Sequence, residues 1–174
     1  VAMVPYAVAV NVGPYADAVR GAITPGKSIT DAEWKSGSSK SISGITKGNP
    51  AVVTANGHGF SNGDRVYISG VSGMSQVNGK VFTVAGATTN TFQLSGTKSS
   101  SYSSYKKNGT VQKCISDDCE VVVTAAGHGL ADNDHVVISG VNGMTQINTG
   151  TNATWQVFNT TANTFALSGS FGPD

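Results

Sequence analysis

A chain of 174 residues has room for one large domain or two small ones. Charged residues make up only 12% and the formal net charge is +1, which leaves no basic footprint for nucleic acid and no electrostatic pull towards an anionic membrane. The 22 glycines, with abundant Ser, Thr, Asn and Val and few Leu or Glu, suit short strands joined by tight turns rather than long helices.

The chain opens on VPYAVAVNV, where Tyr6, Val8, Val10 and Val12 alternate with Ala7, Ala9 and Asn11. That period predicts a strand with one larger apolar face. Lacking a hairpin partner nearby, it is expected to pair with a sheet edge on another subunit. No apolar run approaches the length of a membrane helix, and the charged start and apolar core of a secretory signal are absent, so the chain is expected to be soluble.

Residues 21–28, GAITPGKS, satisfy the phosphate-loop pattern G-x-x-x-x-G-K-[ST]. That loop works only where a buried strand delivers it and a helix starts at the Lys and Ser. Here Gly13 and Pro14 end the preceding strand early. The following SITDAEWKSGSSKS allows at most a short helical turn from Asp31 to Lys35. A Pro-Gly turn in an extended arm is the expected form. Residues 1–40 as a whole are too poor in large apolar side chains to build a core, and are expected to dock on a neighbouring subunit, with Trp34 plugging a pocket.

From residue 51 the sequence repeats. Residues 51–79 and 121–149 share 17 of 29 positions at a constant offset of 70, the mark of a tandem duplication. The match resumes as NTFQLSG from Asn90 and NTFALSG from Asn163, so the second copy carries three extra residues. The expected units are 41–110 and 111–174. In each, Val53 or Val123, Val66 with Ile68, Val81 with Thr83, and Phe92 with Leu94 mark short strands, and GHGF, SNGD, SGVSGM and TTNT mark turns. Five or six such strands bury little as an open sheet, so a small closed barrel is predicted for each unit. The expected cores are Met74, Phe82, Phe92 and Leu94, and then Met144, Trp155 or Phe158, Phe165 and Leu167.

The pattern T-A-x-G-H-G, then V-x-I-S-G-V-x-G-M-x-Q-x-N, then N-T-F-x-L-S-G resembles a module of bacteriophage virion proteins that is similar to the first catalytic-cysteine half-domain of ubiquitin-activating enzymes. The resemblance covers about residues 41–172 and implies a small β-barrel. It implies no thioester chemistry, because that half-domain does not itself carry the reactive cysteine.

Four groups of residues could carry chemistry. His58 and His128 sit in identical GHG settings, six residues before Asp64 and Asp134; each unit offers too few partners for a metal site, and hydrogen bonding within the turn is the expected role. Cys114 and Cys119 read as facing each other across a hairpin at disulfide distance; a zinc site adding His128 and His135 has poor spacing. The segment SSSYSSYKKNGT places Tyr102, Tyr105, Lys106 and Lys107 on a Ser-rich tip that could touch a glycan, a receptor or a subunit, although a solvated loop that completes the barrel is the commoner meaning of such a segment. The sequons at Asn108, Asn152 and Asn159 carry meaning only in a glycosylating host.

No nucleophile, base and orienting group assemble from these residues. The expectation is therefore a non-enzymatic, cofactor-free virion structural protein: a capsid decoration or cement protein, or a tail, neck or fibre component. Its partners would be other virion subunits in a symmetric assembly, without nucleic acid or membrane. The alternative is a virion-displayed or secreted module that recognises a host glycan or receptor.

Overall fold

The computed structural model describes residues 26–150 and 153–171. Its strands are β1 (Asp31–Glu33), β2 (Lys35–Ser41), β3 (Gly44–Ile45), β4 (Ala51–Thr54), β5 (Arg65–Ser69), β6 (Lys80–Ala85), β7 (Thr91–Leu94), β8 (Thr110–Cys114), β9 (Glu120–Thr124), β10 (His135–Val136), β11 (Trp155–Phe158) and β12 (Thr164–Phe171). Single 3-10 turns, Ser75–Val77 and Thr145–Ile147, fall at the same place in each repeat. The protein is all-β, as its Gly, Val and Thr content dictates, and among the described residues no helix is long and apolar enough to cross a membrane.

Seven strands form the first module in the order β2-β8-β5-β6-β7-β4-β3. Strand β6 turns its corner: residues 80–83 pair with β5, whereas Val84 and Ala85 pair with β7. Alternation along β4 and β5 sends Ala51, Val53, Val66 and Ile68 into a core shared with Met74, Phe92 and Leu94, all fully buried. Each such large side chain removed from water contributes roughly 1.5–3 kcal/mol. Phe82, expected inside, is half-buried against this core.

The closed barrel expected from the strand count does not form as a hydrogen-bonded ring. The end strands β2 and β3 share no ladder; they are consecutive in the chain. Ile42 donates its amide to the Gly109 carbonyl and Ser43 donates to Thr54, both at 2.9 Å, so the backbone steps from one end of the sheet to the other. Closing a ladder needs a staggered register all the way round. Here a strand that changes partners at the corner takes the place of that ladder.

The second module has five described strands in the order β1-β9-β12-β11-β10. Four are the repeat counterparts of β4, β7, β6 and β5. The fifth, β1, comes from the segment expected to be an external arm. It pairs with β9 in the register Asp31↔Thr124, Ala32↔Val123, where β3 pairs with β4 as Gly44↔Thr54, Ile45↔Val53. Residues 31–35, given at most a helical turn by the sequence, form no helix: Asp31–Glu33 pair with β9, Trp34 is a bend, and Lys35 opens β2 against β8. Strand β8, which the repeat boundary puts in the second unit, pairs with β5 and β2 of the first. The first module is thus inserted into the second, whose pieces lie on either side of it.

Candidate functional site

The two histidines are identical structural devices. The Phe60 amide donates to His58 Nδ1 at 2.9 Å, and Nε2 lies 3.3 Å from the Thr91 carbonyl. The Leu130 amide and the Thr164 carbonyl hold His128 at 3.0 and 3.3 Å. An Nδ1 that accepts from an amide leaves the ring proton on Nε2, where it is donated to the carbonyl. Both rings are buried and stand edge-on to Phe92 and Phe165.

Their supposed partners do other work. Asp64 accepts from the Ser61 amide at 2.9 Å and pairs with Lys113 at 2.7 Å; Asp134 accepts from the Ala131 amide. Burial pushes the Asp64 carboxyl up, but the Lys113 ammonium and the Ser61 amide outweigh it and hold the pKa below 3.8. Exposed Asp132 is lowered by the amide and hydroxyl of Thr160.

Cys114 and Cys119 are joined, with Cα atoms 4.9 Å apart. They bracket a turn, but β8 and β9 do not pair with each other as a hairpin; each is hydrogen-bonded elsewhere. Among the described residues no group of His, Cys, Asp and Glu could hold a metal ion. Sequons Asn108 and Asn159 lie at positive φ of 60° and 49°, whereas Asn152 lies outside the described residues.

Trp34, assigned to a neighbour's pocket, is 3% exposed within this chain. It meets Tyr67 edge to face at 4.9 Å and Phe171 at 6.1 Å, because pairing of β1 with β9 and of β2 with β8 leaves it between the modules. The other docking residues, Tyr6, Val8, Val10 and Val12, lie outside the described residues. Gly26, Lys27 and Ser28 run without a helix into strand β1, so the helix start that a phosphate loop requires is replaced by a strand.

The tyrosine tip folds down onto the first core instead of projecting. Tyr102 and Tyr105 pack against that core, and the Tyr105 hydroxyl donates to the Ile42 carbonyl at 2.9 Å. Ser72 and Lys106 to Lys107 exchange backbone hydrogen bonds at 2.9 Å. Lys106 and Lys107 stay exposed, and the two tyrosines are partly buried. Tyr102 and Tyr105 thus offer only part of their surface to a partner.

Among the described residues, a cleft lies in the second module. Its volume is about 860 Å³, and it runs between residues 26–32 and residues 137–144, floored by Trp34, Ile147 and Trp155. In the first module the counterpart of its second wall, residues 67–74, is covered by β8 and the folded tip: a Cβ on Gly73 would meet the Ser104 carbonyl, whereas one on Gly143 would meet nothing within 4 Å. Met74 is accordingly fully buried and Met144 only partly.

Sequence reasoning missed two features here. Asn78 and Asn148 each bridge both backbone groups of a valine, Val71 or Val141, at 2.8–2.9 Å; their repetition at the 70-residue offset was the available signal. Lys27-Ser28-Ile29-Thr30 also echoes Lys40-Ser41-Ile42-Ser43, and it occupies the equivalent place in the second module.

The family model of the ubiquitin-activating enzyme E1 FCCH domain matches residues 48–114. That span holds β4 to β8, the body of the first module together with the strand that completes it. Its last residue, Cys114, is tied to Cys119 and offers no free thiol. No curated protein matches this sequence.

Proposed function

We propose that the protein is a non-enzymatic structural component of a bacteriophage virion, serving as a capsid decoration or cement subunit or as part of a tail, neck or fibre. The observation that carries the structural half of this reading is the stitching of two modules into one body by residues 29–41. Strand β1 lies in one sheet, β2 in the other, and Trp34 is sealed between them. Tyr67 and Val81 of the first module pack on the second core, and Arg65 reaches the Asp118 carboxylate at 3.2 Å. Several side chains that the sequence singles out are engaged within this framework: both ring nitrogens of His58 and of His128, the Asp64 carboxylate and the sulfurs of Cys114 and Cys119. The virion half rests on the resemblance of the repeated T-A-x-G-H-G and N-T-F-x-L-S-G motifs.

Because Trp34 is buried within its own chain, this reading gives the anchoring to other virion subunits to exposed surfaces and not to a tryptophan plug. Quantitative mass spectrometry of purified particles tests the proposal. A fixed copy number matching a symmetry of the particle is expected; absence from particles that assemble normally would sink it.

A further inference from the structure

In the first module β8 lies between two strands and runs antiparallel to both. It pairs with β5 through Tyr67↔Gln112 and Ser69↔Thr110, and with β2 through Lys40↔Val111 and Ser41↔Thr110. The repeat offset of 70 carries Tyr67 and Ser69 onto Val137 and Ser139, and the 13-residue echo carries Lys40 and Ser41 onto Lys27 and Ser28. Lys27, Ser28, Val137 and Ser139 all line the same cleft. Ile138 turns both backbone groups inward, to the Thr149 hydroxyl at 3.0 Å and the Thr149 amide at 2.8 Å. Strand alternation then points those of Val137 and Ser139 outward, and among the described residues they have no backbone partner.

We propose that residues 6–12 of the same chain are the strand that fills this slot, inserted antiparallel between β10 with its continuation to Ser139 and residues 26–29. Direction favours it: a chain that passes through residues 6–12, turns, and returns through Lys27 and Ser28 runs antiparallel to them, as β8 does to β2. Length allows it, since the 14 residues between Val12 and Lys27 span up to about 45 Å when extended and the turn needs far less. The side chains suit it. Tyr6, Val8, Val10 and Val12 supply one apolar face where the first module uses Val111, which is fully buried, and no charged residue precedes Asp17. Tethering decides the source, because a strand on the same chain meets the slot at an effective concentration of order millimolar, above that of a second copy in dilute solution.

The test is amide hydrogen exchange by NMR on the full chain and on its Val8→Pro/Val10→Pro variant, which cannot maintain the ladder. Protection of the Val137 and Ser139 amides by at least about 100-fold in a monomer, independent of protein concentration and lost in the variant, is expected. Unchanged protection in β5 shows that the variant has folded. Fast exchange in the unsubstituted chain, or equal protection in both proteins, overturns the proposal. Protection that grows with concentration alongside a dimer overturns it in favour of a second copy. None of these outcomes depends on whether the chain is found in virions.

Discussion

Trp34 and Tyr67 meet edge to face, their ring centroids 4.9 Å apart and their planes at 82°. This contact joins the inserted module to its host, with Phe171 closing the third side. Trp34→Ala should therefore cost about 3–5 kcal/mol, concentrated in the second module. Urea unfolding followed through the remaining tryptophan, Trp155, would report it. A loss below about 1 kcal/mol would mean that the aromatic contact does not hold the modules together.

His58→Ala and His128→Ala should each cost about 1–3 kcal/mol, because each strands a buried amide and a carbonyl. The near-identical geometry of the two sites predicts similar losses in the two modules. Thermal unfolding of the two single variants compares them directly, and a neutral substitution at either site would show that water satisfies the exposed groups.

The Asp64 to Lys113 pair ties β8 to the first module at 2.7 Å. The folded pKa of Asp64 lies below its ordinary value of 3.8, so its contribution is fully present above the unfolded pKa and is lost as pH falls through the folded one. Lys113 is about half exposed, which limits the pair to roughly 0.2–1 kcal/mol. Asp64→Asn should flatten the acid limb of a stability-against-pH curve and leave stability near neutrality slightly lower. An unchanged acid limb would remove Asp64 from the account.

Reducing the Cys114–Cys119 link should destabilise the protein by about 2 kcal/mol, the chain-entropy figure for so short a loop. Denaturant midpoints with and without reductant, compared against the Cys114→Ala/Cys119→Ala variant, measure it. Equal midpoints throughout would reduce the link to a local fastening.

Gly73→Ala should be more damaging than Gly143→Ala by about 1–3 kcal/mol, in the range of overpacking. Both glycines sit at a φ of 94°, so the backbone strain is common to both, but only at Gly73 does the new methyl group strike the Ser104 carbonyl. Equal losses would indicate that the 99–109 tip yields without cost.

Much of the fold was legible because it is written locally. The duplication, the period-two valines and the Gly-Asn turns fixed an all-β chain of two modules, and Met74, Phe92, Leu94, Phe165 and Leu167 lie in or against the cores as their spacing implied. Alternation reveals a strand and its buried face. What tertiary structure alone decided was which strands meet: β1 entering the second sheet, β8 completing the first, and Trp34 buried between them and not offered to a neighbour. Edges are joined by backbone amides and carbonyls, which every residue but proline carries, so side-chain pattern leaves the partner open. The one sequence clue, Lys-Ser-Ile-Thr echoed by Lys-Ser-Ile-Ser, is four residues long in a Ser-rich stretch, and it gained meaning only when Thr30 and Ser43 were seen donating to Thr124 and Thr54 at the same 2.9 Å.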